Sequence, residues 1–285
     1  MLVILSKVFG PLLASLALAS LALAQPAPPT MNILTRTLMI ESSHGRGSVF
    51  SIDVDEREYW ITAKHVLTGA EHPPYGSITS KSVSLRILNP CAQGEEWLPV
   101  NFSAIDVGEG VDIVVLAAPQ PILDKPVPSL ATTAAGVTMG ADCEFLGYPF
   151  GGGWRATWDD GHSYWMPFAK HCTVSTLTFG EPKIYVLDGI NNKGFSGGPV
   201  VYHTGGDQKI IAVVSGYILE PAEIISSVQG KPVAPRKTTK KDAKTSGKGA
   251  VQMNSGFIIA YAISPAIDAI HRSPIGPLRV ASTQQ

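Results

Sequence analysis

The sequence predicts an all-β protein with one short helix near its C-terminus. Ten short runs are rich in Val, Ile, Tyr, Phe and Thr, and Gly, Pro, Asn and Asp separate them. Long helical periodicity is scarce, and most gaps between the runs lack the helix that a doubly wound parallel sheet requires. Strands with this regular spacing favour a sandwich or a barrel. Without a predicted 24-residue leader, the remaining 261 residues suit one large all-β domain or two small barrels.

The predicted strands follow one another along most of the chain. In order they are VFSIDV (49–54), EYWITA (58–63), SVSLRIL (82–88), DIVVLAA (112–118), CEFLGY (143–148), TVSTLTF (173–179), KIYVL (183–187), PVVYH (199–203), KIIAVVSGYIL (209–219) and GFIIAYAI (256–263). The helix is predicted over Ser264–Arg272, with Ser264 as its N-cap and Pro265 in its first turn.

Residues 1–24 have the features of a signal peptide. Lys7 supplies the positive start, an apolar stretch follows, and Ala22-Leu23-Ala24 forms an A-x-A cleavage site. The apolar stretch is too short to span a bilayer comfortably. We therefore expect cleavage after Ala24, a secreted or periplasmic protein, and no stable membrane insertion of the mature chain. An uncleaved anchor is the alternative.

Composition shifts divide the rest of the chain. A proline-rich tether covers residues 25–30, and residues 126–136 have the composition of a linker. We expect an N-terminal β-barrel over 31–125 and a C-terminal β-barrel over 137–285. Residues 231–248 form a basic insertion of net charge +6, which leaves the rest of the mature chain at −8. This Lys-rich insertion is predicted to be a solvated loop.

The acidic body argues against a nucleic-acid partner, because such proteins usually carry a basic face on the folded domain. No C-x-x-C, H-E-x-x-H or His/Cys cluster occurs, so we expect no metal and no cofactor. Three cysteines are present, and export permits disulfides. Cys143 and Cys172 begin adjacent predicted strands, whose antiparallel pairing would bring them together, whereas Cys91 belongs to the first half.

The segment Gly194-Phe195-Ser196-Gly197-Gly198 fits two classes of hydrolase. It matches G-x-S-x-G, the strand-to-helix elbow of α/β-hydrolases, whose partners follow in the order Ser, acid, His. The elbow requires a helix directly after the serine, but a turn and a β run follow Ser196 here. His203 follows too closely, which leaves only His271 as a base in that order. The sequence context therefore rejects the elbow.

The segment also fits G-x-S-G-G, with partners in the order His, Asp, Ser. A serine hydroxyl needs a base within reach, and that base needs an orienting group. His65 and Asp112 each lie at the edge of an apolar strand-like run, where a side chain can be held rigidly.

Five motifs in order resemble the chymotrypsin/trypsin-like serine proteases. They are ITAKHVL (61–67), DIVVLAAP (112–119), FLGYPFGG (145–152), GFSGGPVV (194–201) and VVSGY (213–217). They are similar to the T-A-x-H motif, the D-I-A-L-L run, the G-Y-P segment of bacterial members, the G-x-S-G-G-P turn and the strand that lines the substrate cleft. Each alone is a weak to moderate signal, but the ordered set covers nearly the whole mature chain.

The resemblance implies two antiparallel six-stranded barrels with the cleft between them, and an endopeptidase that acts on proteins or peptides. Ser196 would be the nucleophile, His65 the general base and acid, and Asp112 the group that holds the imidazole. The N–H groups of Gly194 and Ser196 would form the oxyanion hole. Pancreatic-type enzymes carry an aspartate before the serine, which pairs with a freed N-terminus. Phe195 stands there in this chain, so the site is expected to be organised without zymogen cleavage.

The resemblance also implies a substrate pocket. Its base would be Ile190, six residues before the nucleophile, and its opposite wall would be Ser215, Gly216 and Tyr217. An apolar base cannot pair with a buried cation, so we expect small or medium apolar residues at P1. Asp188 offers an alternative with a basic preference if the loop is shifted.

Two other functions remain open from the sequence. The first is a relative that keeps the fold as a catalytically silent binding module. The second is a serine esterase or lipase-like hydrolase on another fold.

Overall fold

The computed structural model of the chain describes residues 29–123, 128–157, 161, 163–204, 207–223 and 250–279. The helices are α1 (Met31–Leu34), α2 (Lys64–Thr68) and α3 (Ser264–Arg272). The strands are β1 (Thr37–Ser42), β2 (Gly45–Val54), β3 (Arg57–Thr62), β4 (Ser82–Leu88), β5 (Trp97–Asp106), β6 (Val114–Ala117), β7 (Ala131–Thr132), β8 (Asp142–Gly147), β9 (Trp154–Thr157), β10 (Ser163–Met166), β11 (Phe168–Leu177), β12 (Ile184–Asp188), β13 (Pro199–Thr204), β14 (Asp207–Glu223) and β15 (Ala250–Ala262).

The first barrel consists of β1 to β6. Its strands pair in the order β1-β2-β3-β6-β5-β4, and β4 returns to β1 to close the barrel. All of these pairings are antiparallel. β6 is buried at each of its four positions, which agrees with its nearly unbroken apolar sequence.

The second barrel has the order β8-β11-β12-β15-β14-β13, and β13 pairs with β8 to close it. β7 adds to β14 in parallel at the outside of this barrel, so a short strand lies within the expected linker 126–136. The prediction of two antiparallel six-stranded barrels with a short C-terminal helix is confirmed.

The two barrels share a continuous core. One cluster of buried side chains includes Ile61 and Val115 from the first barrel together with Val201 and Val213 from the second. The ring of Tyr261 meets the ring of Tyr75 edge-on at 5.9 Å, and their hydroxyls are 3.1 Å apart. The interface between the barrels is therefore tightly packed. Because close-packed apolar contacts resist relative movement, residues at this junction keep fixed relative positions.

Helix α3 covers the predicted residues, but Ser264 is not its N-cap. Ile263 occupies the cap position and makes no side-chain cap bond, and Ser264 is the first helical residue. The reason is the burial of Ile263, whose N–H donates to Ile211 O in the second barrel. After α3 the chain returns to the first barrel, where Arg279 contacts Asp53 and the buried Glu58, each at 2.6 Å.

Several sequence expectations lie outside the described residues: the signal peptide, most of the tether and the basic insertion 231–248. Within the described part of the chain, no helix is long and apolar enough to cross a membrane.

Candidate active site

His65 lies in the short helix α2, directly after β3. The helix begins after Ala63 and ends at Gly69, a left-handed position with φ +73° that suits glycine. Lys64 is buried beside His65, and its ammonium reaches Asp106 Oδ1 at 2.8 Å and Gly108 O at 2.7 Å. Lys64 thereby ties α2 to the connection between β5 and β6, which carries Asp112.

Asp112 is fully buried and accepts three hydrogen bonds. His65 N–H donates to Oδ1 at 2.9 Å, and His65 Nδ1 lies 2.6 Å from Oδ2. The hydroxyl of Ser215, on β14 of the second barrel, donates to Oδ2 at 2.5 Å. A carboxylate on Nδ1 favours the tautomer in which Nε2 is free to accept a proton. The two barrels thus both contribute donors to one buried carboxylate.

Ser196 lies in the turn between β12 and β13. Its hydroxyl donates to Ser215 O at 3.1 Å, so the residue that binds Asp112 through its side chain also binds Ser196 through its carbonyl. Ser196 O accepts from Ser48 N–H of the first barrel at 2.8 Å. The structure therefore brings His65, Asp112 and Ser196 to one place at the barrel junction.

Glycine at 47 and 197 allows the barrels to approach there. A Cβ on Gly47 would lie 2.8 Å from Val66 Cγ2 and 3.0 Å from Ser196 O, between the His65 helix and the serine turn. A Cβ on Gly197 would collide with Ser48 O and Thr62 Oγ1. Gly197 also has φ +85°, a conformation that other residues rarely adopt.

The peptide before Gly194 is held in a definite orientation. Phe150 N–H donates to Lys193 O at 2.6 Å, and the N–H of Gly194 points away from that carbonyl because the peptide is trans. The carbonyl of Gly194 accepts from Ser48 Oγ at 2.7 Å. Among the described residues, none accepts a hydrogen bond from the N–H of Gly194 or Ser196. Neither N–H group therefore has a hydrogen-bond partner within the described part of the chain.

The expected pocket residues lie in different settings. The side chain of Ile190 is 62% exposed. The side chain of Ser215 is turned toward Asp112, whereas Gly216 O accepts from the Asn191 side chain at 3.3 Å. Tyr217 is half-buried on β14, and Asp188 is exposed at the end of β12.

Sequence reasoning missed four residues that support this site. Ser48 lies in none of the five motifs, and Lys64 occupies the variable position of the T-A-x-H motif. Asn191 is buried, donates to Gly216 O, and has no partner for its Oδ1 within the described residues. Lys170 binds the segment before Ser196. Only the packing of the serine turn had a visible sequence signal: the Gly-Gly pair after Ser196 indicates that another part of the backbone approaches closely there.

No group of three or more His, Cys, Asp or Glu residues in the described part of the chain is arranged to hold a metal ion. A cavity of about 430 Å³ lies elsewhere on the second barrel, lined by residues 137–139 and 177–183 apart from Pro182. It contains none of the residues that surround Ser196.

No protein-family model matches the chain, and no curated protein matches it. Among solved structures, it is similar to the Rv3671c protease from M. tuberculosis in its active form, with 18% identity over 91% of this chain and 92% of that chain and a TM-score of 0.49. The inactive form has 18% identity over 87% and 97%, with a TM-score of 0.47. The HtrA-type protease AlgW with a tripeptide has 16% identity over 86% and 61%, with a TM-score of 0.48.

At these identities and TM-scores, what the site can do has to follow from its own residues. The pairing of the strands by itself defines two closed antiparallel barrels of six strands each. The chain therefore has the two-barrel, chymotrypsin-like fold, and His65, Asp112 and Ser196 lie at the junction of its barrels.

Proposed function

We propose that the chain is an exported serine endopeptidase that hydrolyses peptide bonds through an acyl-enzyme intermediate. One observation carries the proposal. Asp112 is buried and is bound by the backbone N–H and by Nδ1 of His65. Its third donor is the hydroxyl of Ser215, and the carbonyl of Ser215 accepts from the hydroxyl of Ser196. This arrangement fixes the imidazole of His65 on a buried carboxylate and joins that carboxylate to Ser196 through one residue, which supports nucleophilic catalysis by Ser196.

In the proposed reaction, Ser196 Oγ attacks the peptide carbonyl carbon while His65 Nε2 takes its proton. The hydroxyl donates to Ser215 O in the free protein, so its O–H bond must first turn toward His65. His65 then gives the proton to the leaving amine, and the carbon–nitrogen bond breaks. Water repeats the sequence on the acyl-enzyme and releases the acid. Asp112 stabilises the imidazolium at each step.

The N–H groups of Gly194 and Ser196 would stabilise the tetrahedral oxyanion. Their lack of acceptors among the described residues supports this role. Each such donor typically contributes about 3 kcal/mol to transition-state stabilisation. Export is proposed from the sequence features of residues 1–24 alone.

The decisive experiment compares wild type with Ser196→Ala on a peptide library and with a serine-directed phosphonate. The variant is expected to lose more than about 10⁴-fold in kcat/KM, because the nucleophile is absent. Its free energy of unfolding should change by less than about 1 kcal/mol, since a small hydroxyl contributes little to folding. Wild type that neither cleaves peptides nor reacts with the phosphonate would identify a binding module instead.

A further inference from the structure

The segment 190–196, here called the nucleophile loop, is attached to β11 by one lysine. Lys170 Nζ donates to Ile190 O at 2.5 Å and to Asn192 Oδ1 at 2.8 Å. The same ammonium lies 5.6 Å from the centroid of the Phe195 ring. A single side chain thus contacts three of the seven residues in the loop, and these contacts are charge-assisted or cation–π interactions.

The nucleophile loop needs such attachments because it belongs to no strand or helix. β12 ends at Asp188 and β13 begins at Pro199, and the loop between them carries both N–H groups proposed to bind the oxyanion. Gly194 within it has φ +104°, a position at which neighbouring peptides can turn with little steric resistance. The orientation of its peptides therefore depends on contacts from outside the loop.

Neutral hydrogen bonds also reach the loop. Ser48 of β2 donates to the carbonyls of Gly194 and Ser196. Asn191 donates to Gly216 O of β14 and accepts at its carbonyl from Asn254 of β15 at 2.6 Å.

Two phenylalanines add further contacts to the loop. The Phe195 ring is fully buried and packs edge-on against Phe145 of β8, with centroids 4.9 Å apart. Phe150 N–H holds Lys193 O on the side away from Gly194 N–H. Lys170 differs from all of these contacts because it supplies charge.

The position of Lys170 carries an energetic cost. Partial burial lowers its pKa, because removal from water disfavours the ammonium form. A lysine without a role at this position would be expected to extend its ammonium into solvent. Here it instead points at a backbone carbonyl and an amide oxygen of the loop.

We propose that Lys170 is a positioning residue that holds the nucleophile loop in the conformation in which Gly194 and Ser196 present their N–H groups to the substrate oxyanion. The inference rests on the proposed function and concerns how the same site is organised. Phe195 has no charge and so cannot form an ion pair with a freed N-terminus. Lys170 is proposed to order the loop instead.

The test is Lys170→Met, which keeps the length and apolar stem of the side chain but removes the ammonium. We expect kcat to fall by about 10- to 100-fold, because small displacements of catalytic groups have effects of this size. KM should change less than threefold, and the rate of phosphonylation of Ser196 should fall in parallel with kcat. Lys170→Arg keeps a cation with several donors and should restore kcat to within about fivefold of wild type.

Lys183→Met is the matched control. Its ammonium lies over the Tyr185 ring at 5.2 Å, so it also loses a cation–π contact, but no contact of its side chain with the nucleophile loop is described. Its kcat should stay within twofold of wild type. If Lys170→Met also stays within twofold, or if Lys170→Arg is as impaired as Lys170→Met, the positioning role is overturned.

A second variant covers the case in which Lys170→Met does not fold, which a circular dichroism melt would reveal. Asn192→Ala removes one acceptor of the ammonium from a half-exposed position, and should lower kcat about threefold to tenfold with KM little changed. Unchanged kcat in a folded Asn192→Ala variant overturns the inference. Wild type that does not react with the phosphonate overturns the proposed function and this inference together, whereas equal reactivity of wild type and Lys170→Met overturns the inference alone.

Discussion

At the scale of single residues, Gly197 decides how closely the barrels approach at Ser196. Gly197→Ala places a Cβ against Ser48 O and Thr62 Oγ1 and forces a left-handed φ. We expect a loss of about 3 kcal/mol or more in the free energy of unfolding, since overlap and backbone strain add. Urea unfolding measures it.

Gly110→Ala is the control for Gly197→Ala. Gly110 has φ +75°, but a Cβ there would meet nothing within 4 Å. Gly110→Ala should lower the free energy of unfolding by about 1–2 kcal/mol, because only the strain of a left-handed backbone conformation is added. Equal losses in the two variants would show that contact between the barrels does not restrict position 197.

The residue preference at P1 also belongs to this scale. Ile190 is apolar, and Asp188 is exposed at the end of β12. We therefore expect matched peptides with Leu or Ala at P1 to be cleaved faster than those with Arg, as measured by kcat/KM. If kcat/KM were more than tenfold higher for Arg than for Leu, about 1.4 kcal/mol in transition-state binding, the apolar pocket would be contradicted.

At the scale of elements, strands β8 and β11 place Cys143 and Cys172 directly opposite each other. Their Sγ atoms are 2.9 Å apart and both side chains are buried, with free thiols in the structure. Directly opposed residues of antiparallel strands lie at the Cα separation that a disulfide spans. We predict that they form a disulfide in an oxidising compartment.

Mass spectrometry of a non-reduced digest should find the Cys143–Cys172 cross-link. Reduction should lower the free energy of unfolding by about 3–4 kcal/mol, the loop-closure value for a loop of this length. Cys91→Ser is the control, because Cys91 lies in the first half of the chain. This variant should show the same difference in free energy of unfolding between the oxidised and reduced protein. Three unmodified thiols after air oxidation would count against the pair.

At the scale of the whole molecule, the basic insertion 231–248 is expected to be dispensable for folding. Its sequence is Lys-rich and lacks the apolar surface that would order it. The strand ends that flank it are already neighbours, because Glu223 pairs with Ala250. A short loop can therefore connect them.

Deletion of residues 231–248 should leave the melting temperature within about 3 °C of wild type, because this Lys-rich sequence supplies little apolar surface to bury. The measurement is a circular dichroism melt, with kcat/KM on a short peptide as the second readout. A variant of the same length with its lysines replaced by serine separates charge from length. Unfolding of the short variant would show that the segment is structural.

The sequence by itself determined the fold class, the positions of many strands and the residues around the candidate nucleophile. β4 has the predicted bounds, Ser82–Leu88, because its alternating pattern of apolar residues is local. β5 was not predicted: it contains Pro99 and Asn101, and buries only Phe102 and Ile105 fully. It is a strand because β4 and β6 pair with its two edges. The pairing energy comes from neighbours that local propensity does not contain.

Only the tertiary structure decided which side chains complete the site. The order of His65, Asp112 and Ser196 is readable because each lies in a short recognisable motif. Ser215 binds Asp112 across 103 residues of sequence, and Lys170 reaches Asn192 across 22. Such contacts depend on which strands become neighbours when the barrels close. Hydrogen bonds act over about 3 Å in space and leave no periodic mark along the chain, so no local pattern could reveal them.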